Sequence, residues 1–163
     1  MIARRIITHH PIQGDYGLVN IGQAKPFTRL AGMKYNHAVI CVGYEEIAEA
    51  WFTGVRRMPM DHYKSIVWYR VEASVPKRYR AAWWARQLVG VKYDYASWFG
   101  LLFGAGLKLT TWQETVLKYS IDSDARNCSA FVAECYSRTG IDLVPGKVTN
   151  LVLPDDLDFE KVS

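Results

Sequence analysis

The sequence has few of the residues that build metal sites and disulfides. Its 163 residues include three cysteines, at positions 41, 128 and 135, and four histidines, at positions 9, 10, 37 and 62. No CxxC pair or zinc-ligand spacing occurs among them, so we expect no structural zinc. Cys128 and Cys135 would lie about 10.5 Å apart along a helix, which is too far for a disulfide. We therefore expect free thiols, which are typical of a reducing compartment.

Long apolar segments are also missing. The longest uncharged, largely apolar run covers residues 95–107, whereas a membrane-spanning helix needs about 20 residues. The N-terminal residues MIARRIITHH contain too short an apolar stretch for the core of a signal peptide. The sequence thus predicts a cytoplasmic or virion-associated location. Within the 95–107 run, Trp98, Phe99 and Phe103 are the candidates for a peripheral membrane contact.

Neither sign of charge dominates the chain. Lys and Arg number 20 against 16 Asp and Glu, which gives a formal net charge of +4. Basic residues occur in pairs such as Arg4–Arg5 and Arg56–Arg57, but no helix-turn-helix, zinc-finger or RNP pattern accompanies them. We therefore expect no nucleic-acid partner.

The order of the predicted elements indicates the fold class. No internal repeat, low-complexity tract or linker interrupts the chain, so we expect one domain over residues 1–163 with its core in 14–157. The first half has β-branched and aromatic runs between turn residues, and the second half has helical periodicity. This order predicts an α+β fold, with helices packed on a mostly antiparallel sheet. Strands are predicted over 16–21, 35–42, 47–52 and 66–71, and helices over 76–89, 97–109 and 128–139.

Cys128 is the first candidate for chemistry. It lies in the first turn of the predicted 128–139 helix, where free backbone N–H groups and the helix dipole favour a thiolate over a thiol. It also belongs to the apolar stripe that faces the sheet, so a basic partner would come from a strand. A cysteine on such a stripe is more often a small buried hydrophobe, which is how we interpret Cys41 and Cys135.

His37 and Glu49 are the candidate partners. His37 stands at the start of an apolar β-run, and Glu49 lies between apolar neighbours in the next one. A carboxylate close to an imidazole fixes its tautomer and stabilises its charged form. If the two strands form a hairpin, the side chains share a face only with a three-residue or bulged loop, and a two-residue loop alone would separate them. A strand histidine with a purely structural hydrogen bond is the alternative.

Five motifs around these residues resemble the permuted branch of the NlpC/P60 papain-like superfamily, in particular the YiiX/YaeF-like amidases. Each motif alone is weak, but the five occur in that branch's order, with histidine before cysteine in the chain. They are GD at Gly14–Asp15, KYNHAVI around His37, IAEA around Glu49 followed by Gly54–Val55, GVKYD ending in Tyr93–Asp94, and NCSAF around Cys128.

The resemblance implies a circularly permuted papain-like fold and a cysteine amidase or peptidase that hydrolyses a small peptide amide, such as one derived from peptidoglycan. It implies Cys128 as nucleophile, His37 as general base and then acid, and Glu49 as the residue that orients His37, with a thioester acyl-enzyme as intermediate. Tyr93 would line the site or donate to the oxyanion, or else simply pack in a turn. No metal or organic cofactor is implied.

Two other functions stay open at this point. The related lecithin:retinol acyltransferase-like group shares the permuted order, so the aromatic run around Trp98 would suit a lipid-directed acyltransferase or thioesterase. A non-catalytic binding module on the same fold is the other alternative. An enzyme requires Cys128 and His37 within hydrogen-bond reach of each other, whereas a binding module does not.

Overall fold

Six strands form one antiparallel sheet in the computed structural model, which describes residues 2–7, 10–22, 32–92 and 127–161. The order across the sheet is β1-β6-β2-β3-β4-β5, with β1 and β5 as its edges. The strands are β1 (Ala3–Ile6), β2 (Tyr16–Val19), β3 (His37–Gly43), β4 (Glu46–Trp51), β5 (Gly54–Pro59) and β6 (Val67–Val71).

The central strand β3 explains why the sheet separates two apolar clusters. Successive side chains of a strand point to opposite faces. Ala38, Ile40 and Val42 join the larger cluster with the helices. Val39 and Cys41 join a smaller cluster on the other face. Because both faces are covered, this strand is apolar along most of its length.

Two α helices of the described residues pack against the larger cluster. They are α1 (Val75–Gln87) and α2 (Cys128–Ser137). Proline in the first turn suits the start of α1. Gly140, with φ of +76°, follows the end of α2. In the described ranges, no helix has both the length and the apolar character needed to cross a membrane.

The structure buries α2 more deeply than its apolar stripe predicts. Every residue from Cys128 to Tyr136 is buried, including Ser129 and Glu134. The helix contacts β3, β4 and α1 and also two short 3-10 turns near the C-terminus, Thr149–Leu151 and Pro154–Leu157. Neighbours therefore surround it on several sides, which one apolar stripe cannot indicate.

The predicted central elements are confirmed, whereas both edge strands were not predicted. The observed α+β architecture and the strands β2, β3, β4 and β6 agree with the sequence, with shifts of one or two residues at most boundaries. The edge strands β1 and β5 each contain two adjacent arginines and have exposed positions, so they lack the apolar runs used for prediction. The predicted helix over 97–109 lies outside the described residues.

A glycine at the start of β2 permits close packing against α1. Gly14 has φ of +91°, and its N–H donates to the carbonyl of Cys41 at 2.9 Å. A Cβ atom there would lie 2.4 Å from the backbone oxygen of Arg78. The next residue, Asp15, is fully buried and accepts two hydrogen bonds from Arg70, at 2.9 and 2.7 Å. The Gly–Asp motif thus joins the sheet to the helical layer.

Replacing Gly14 by alanine should lower the free energy of unfolding by about 3 kcal/mol, because the new methyl group meets backbone that has little room to move. Gly90→Ala is the matched control. Its φ of +92° is nearly the same, but no described atom lies within 4 Å of the added Cβ, so we expect a loss of only about 1 kcal/mol. Urea unfolding measures the free energy of unfolding of both variants. Equal losses of stability in Gly14→Ala and Gly90→Ala would contradict the steric argument.

Candidate active site

The start of α2 is fixed by its cap and by the C-terminal segment. Asn127 is the N-cap residue, and its Oδ1 accepts the N–H of Ala130 at 2.7 Å. Its Nδ2 donates to the carbonyl of Asn150 at 3.0 Å. The Ser129 hydroxyl donates to the carbonyl of Val152 at 2.5 Å. These bonds hold the residues on both sides of Cys128.

The same C-terminal segment also holds the start of β3. The carboxylate of Asp155 accepts the backbone N–H groups of Lys34 and Tyr35, both at 2.8 Å. His37 follows two residues later as the first residue of the strand. Residues 150–158 therefore connect the positions of Cys128 and His37, which are far apart in the sequence.

A β-bulge places His37 and Glu49 on one face of the sheet. Gly43 pairs with Glu46 across a two-residue loop, and that register alone would put the two side chains on opposite faces. The register shifts between Cys41 and Gly43, so that Ile40 pairs with Ala48. Of the loop geometries allowed by the sequence, the bulged one is observed. As a result, Nε2 of His37 lies 2.7 Å from Oε2 of Glu49.

Cys128 and His37 are both buried and close enough for their charges to shift the pKa of each other. Because Glu49 takes Nε2 of His37, Nδ1 is the ring nitrogen left for an interaction with Cys128. The neighbouring backbone N–H groups of Ala38 and Ser129 also favour the ionised sulfur. The paired residues of β3 and β4 begin at Ile40 and Ala48, so Ala38 lies beyond that ladder.

The pKa shifts describe a row of alternating charges. Burial opposes ionisation of the Cys128 thiol, but the positive His37 ring and the N–H donors hold its pKa below the ordinary 9.0. Burial would lower the pKa of His37, yet the Cys128 sulfur and Glu49 raise it to about 9. Burial likewise opposes ionisation of Glu49, whose pKa falls to about 2 because His37 donates to it and other donors assist. Imidazolium and carboxylate are therefore the favoured states of His37 and Glu49 at neutral pH, and their row favours the Cys128 thiolate more than an isolated thiol would.

Three residues beside this row were missed from the sequence. Arg56 donates to Oε1 of Glu49 at 2.8 Å, and the Tyr63 hydroxyl donates to Oε2 at 2.5 Å. The Trp51 ring meets the His37 ring edge-on, with centroids 5.4 Å apart. Trp51 could have been found, because it lies two residues after Glu49 and so on the same face. Tyr63 has no comparable sequence signal.

Other sequence candidates lie elsewhere. Cys41 and Cys135 are buried free thiols, as expected of core residues. Burial raises the pKa of Cys41 to about 11, and it raises the pKa of Cys135 as well. His62 is exposed. The oxyanion candidate Tyr93 and the membrane candidates Trp98, Phe99 and Phe103 lie outside the described residues.

The fold is similar to that of the metalloprotein yiiX from Escherichia coli O157:H7 (DUF1105), known from a crystal structure. The two chains are 21% identical and superpose with a TM-score of 0.57, over 82% of this chain and 69% of the other. At this identity the similarity shows the fold alone. No family model matches the chain, and no curated protein matches it.

The ionised pair predicts how Cys128 reacts with iodoacetamide. We expect Cys128 to be alkylated at lower pH than Cys41, because its partners outweigh burial and lower its pKa, whereas burial raises the pKa of Cys41. His37→Gln should move the midpoint of Cys128 alkylation upward by about one pH unit or more. Mass spectrometry of peptides alkylated over a pH series measures this. His62→Gln is the control, and a midpoint that His37→Gln leaves in place would contradict the pairing.

Proposed function

We propose that the protein is a cysteine amidase or peptidase with a permuted papain-like fold, acting on small peptide amides such as those derived from peptidoglycan. The observation that carries the proposal is the row of Cys128, His37 and an ionised Glu49, in which His37 lies 2.7 Å from Glu49 and its charge lowers the pKa of Cys128. A thiolate at a helix start, paired with an oriented imidazolium, is the arrangement that nucleophilic acyl transfer needs.

In the proposed reaction, the Cys128 thiolate attacks the amide carbonyl carbon and the C=O electron pair moves onto oxygen. The backbone N–H of Cys128, at the start of α2, is the proposed donor to that oxyanion. Collapse of the intermediate breaks the C–N bond, and the His37 imidazolium gives its proton to the departing amine. His37, now neutral, takes a proton from water, which attacks the thioester and releases the carboxylic acid and the thiolate.

The fold supports this assignment through the order of the three residues. His37 and Glu49 come from neighbouring strands that precede α2 in the chain, and the similarity to yiiX extends over most of both chains. In the permuted papain-like fold, the histidine strand likewise precedes the cysteine helix. We extend the proposal to residues 1–163 as one such domain.

The two alternative functions gain less support. The charge interaction between Cys128 and His37 supports an enzyme, because a binding module would not need it. The lipid-directed alternative depended on the aromatic run at 95–107, which lies outside the described residues, so nothing described favours an acyl group over a peptide amide.

The protein of similar fold, yiiX, is called a metalloprotein, but the described residues do not fit a metal ion. No group of three or more His, Cys, Asp or Glu side chains in the described ranges could hold one. Cys128, His37 and Glu49 form a row with His37 in the middle, whereas metal ligands converge on one point. The proposed mechanism therefore has no metal-dependent step.

The test is hydrolysis of a panel of short peptide amides, including peptidoglycan stem peptides, with release of amine as the signal. Cys128→Ala should reduce the rate at least about 1000-fold, because the nucleophile is lost. Cys41→Ala, a thiol on another part of the sheet, is the control and should retain activity. We expect EDTA to have no effect. A Cys128→Ala protein with undiminished hydrolysis would disprove the proposal.

The pH dependence of hydrolysis should be bell-shaped. Activity should rise as Cys128 loses its proton, below the ordinary thiol value of 9.0, and fall as His37 loses its proton near pH 9. The raised pKa of His37 keeps the general acid protonated through neutral pH. Loss of the His37 proton therefore sets the upper pH limit of activity. Initial rates between pH 5 and about 10.5 measure the profile. A rate that still increases above pH 9.5 would contradict the assigned acid role.

A further inference from the structure

The two oxygens of Glu49 receive three hydrogen bonds and one further ion-pair contact. Oε2 accepts from His37 at 2.7 Å and from the Tyr63 hydroxyl at 2.5 Å. Oε1 accepts from Nε of Arg56 at 2.8 Å, and Nη2 of the same guanidinium lies 2.8 Å from Oε1 as an ion-pair contact. Both carboxylate oxygens therefore have donors. Two of the three hydrogen bonds come from residues outside the proposed triad.

Arg56 is itself held in place by strand pairing and stacking. It lies directly opposite Glu49 in the β4–β5 ladder, which puts both side chains on the same face. Its guanidinium lies 4.9 Å from the centroid of the Trp51 ring, and Trp51 meets His37 edge-on. The side chain is 32% exposed, so it is more constrained than an ordinary surface arginine.

Tyr63 approaches Glu49 from the chain that follows β5. Its ring centroid lies 5.6 Å from that of His37. Its hydroxyl and the His37 nitrogen share one oxygen of Glu49, so this oxygen stays directed at the imidazole. Tyr63 therefore limits rotation of the carboxylate from one side, while Arg56 limits it from the other.

We propose that Arg56 and Tyr63 are positioning residues that keep Glu49 as a fixed anion, so that Glu49 orients His37 without taking its proton. This inference rests on the proposed function for the role of His37, although its central contacts are independent of any substrate. Arg56, Glu49, His37 and Cys128 then carry charges of alternating sign along one row. A neutral Glu49 would no longer stabilise the imidazolium, and the thiolate would form only at higher pH.

The burial of Glu49 explains why these donors are needed. Its side chain has no exposed surface, and burial alone would raise the pKa of a carboxyl group. The donors reverse that tendency and lower the pKa of Glu49 to about 2. Burial, and after it the hydrogen bond to Glu49, raise the pKa of the Tyr63 hydroxyl, which favours its protonated, donating form.

The experiment compares Arg56→Met, Arg56→Lys and Tyr63→Phe by the pH dependence of Cys128 alkylation, which needs no substrate. We expect Arg56→Met to raise the alkylation midpoint by about one pH unit and to lower kcat by about 10-fold to 100-fold with little change in KM. Arg56→Lys keeps the positive charge, so its alkylation midpoint should lie much closer to that of the unchanged protein. Tyr63→Phe removes one hydroxyl and should give a smaller shift in the same direction.

Arg57→Met is the matched control, because Arg57 is the next residue of β5 and, among the described residues, forms its ion pair with Glu46 at a longer 3.5 Å. It should leave the alkylation midpoint and kcat unchanged. Thermal unfolding of each variant accompanies these measurements. If Arg56→Met and Tyr63→Phe lower the unfolding temperature but leave the alkylation midpoint in place, their role is structural only and the inference is wrong.

The inference and the proposed function can fail separately. A shifted alkylation midpoint without hydrolysis of any peptide amide would support the positioning role and count against the amidase. Hydrolysis that depends on Cys128 with an unchanged midpoint in both variants would support the amidase and overturn the positioning role. An imidazole proton signal of His37 followed by NMR over the same pH range gives a second measure of the same shift.

Discussion

The site depends on one buried carboxylate. Moving an ionised Glu49 out of water costs several kcal/mol unless hydrogen bonds and opposite charge compensate. Its partners come from β3, β5 and the chain after β5, so compensation requires these parts of the sheet to be assembled in register. The bulge in the β3–β4 hairpin follows from this requirement, because only the shifted register puts His37 on the same face as Glu49. Folding and the chemistry of the site therefore use the same contacts.

A second constraint is the distance in sequence between nucleophile and base. Cys128 and His37 belong to different layers, and small displacements between them would weaken their charge interaction. The C-terminal segment solves this problem by bonding to the chain beside each residue. It is anchored in turn to the sheet, because Tyr16 donates to the carbonyl of Leu157 and Tyr69 donates to the carboxylate of Asp158. The relative position of the two layers is thus set partly by residues that have no chemical role.

A structural element can be predicted from the sequence where a single residue pattern determines it. Periodicity predicts α1, α2 and the central strands, and the position of Cys128 at a helix start follows from them. The bulge could not be predicted, because a two-residue loop and a bulged hairpin fit the same residues around Gly43. Arg56 looked like half of a surface pair with Arg57, since the edge strand β5 has too few apolar residues to reveal its register with β4. Tyr63 reaches Glu49 from a non-strand segment, which no periodic pattern marks.

The three cysteines show how position alone separates reactive from inert thiols. All three are buried, and burial disfavours a thiolate in each case. Cys41 lies within a strand and Cys135 in the interior of α2, so neither has the free N–H groups of a helix start or a cationic partner close enough to outweigh burial. Cys128 has both a helix start and the His37 ring. In a region with little water that attraction is stronger than it would be at the surface, so at Cys128 it outweighs the burial that opposes ionisation of all three thiols.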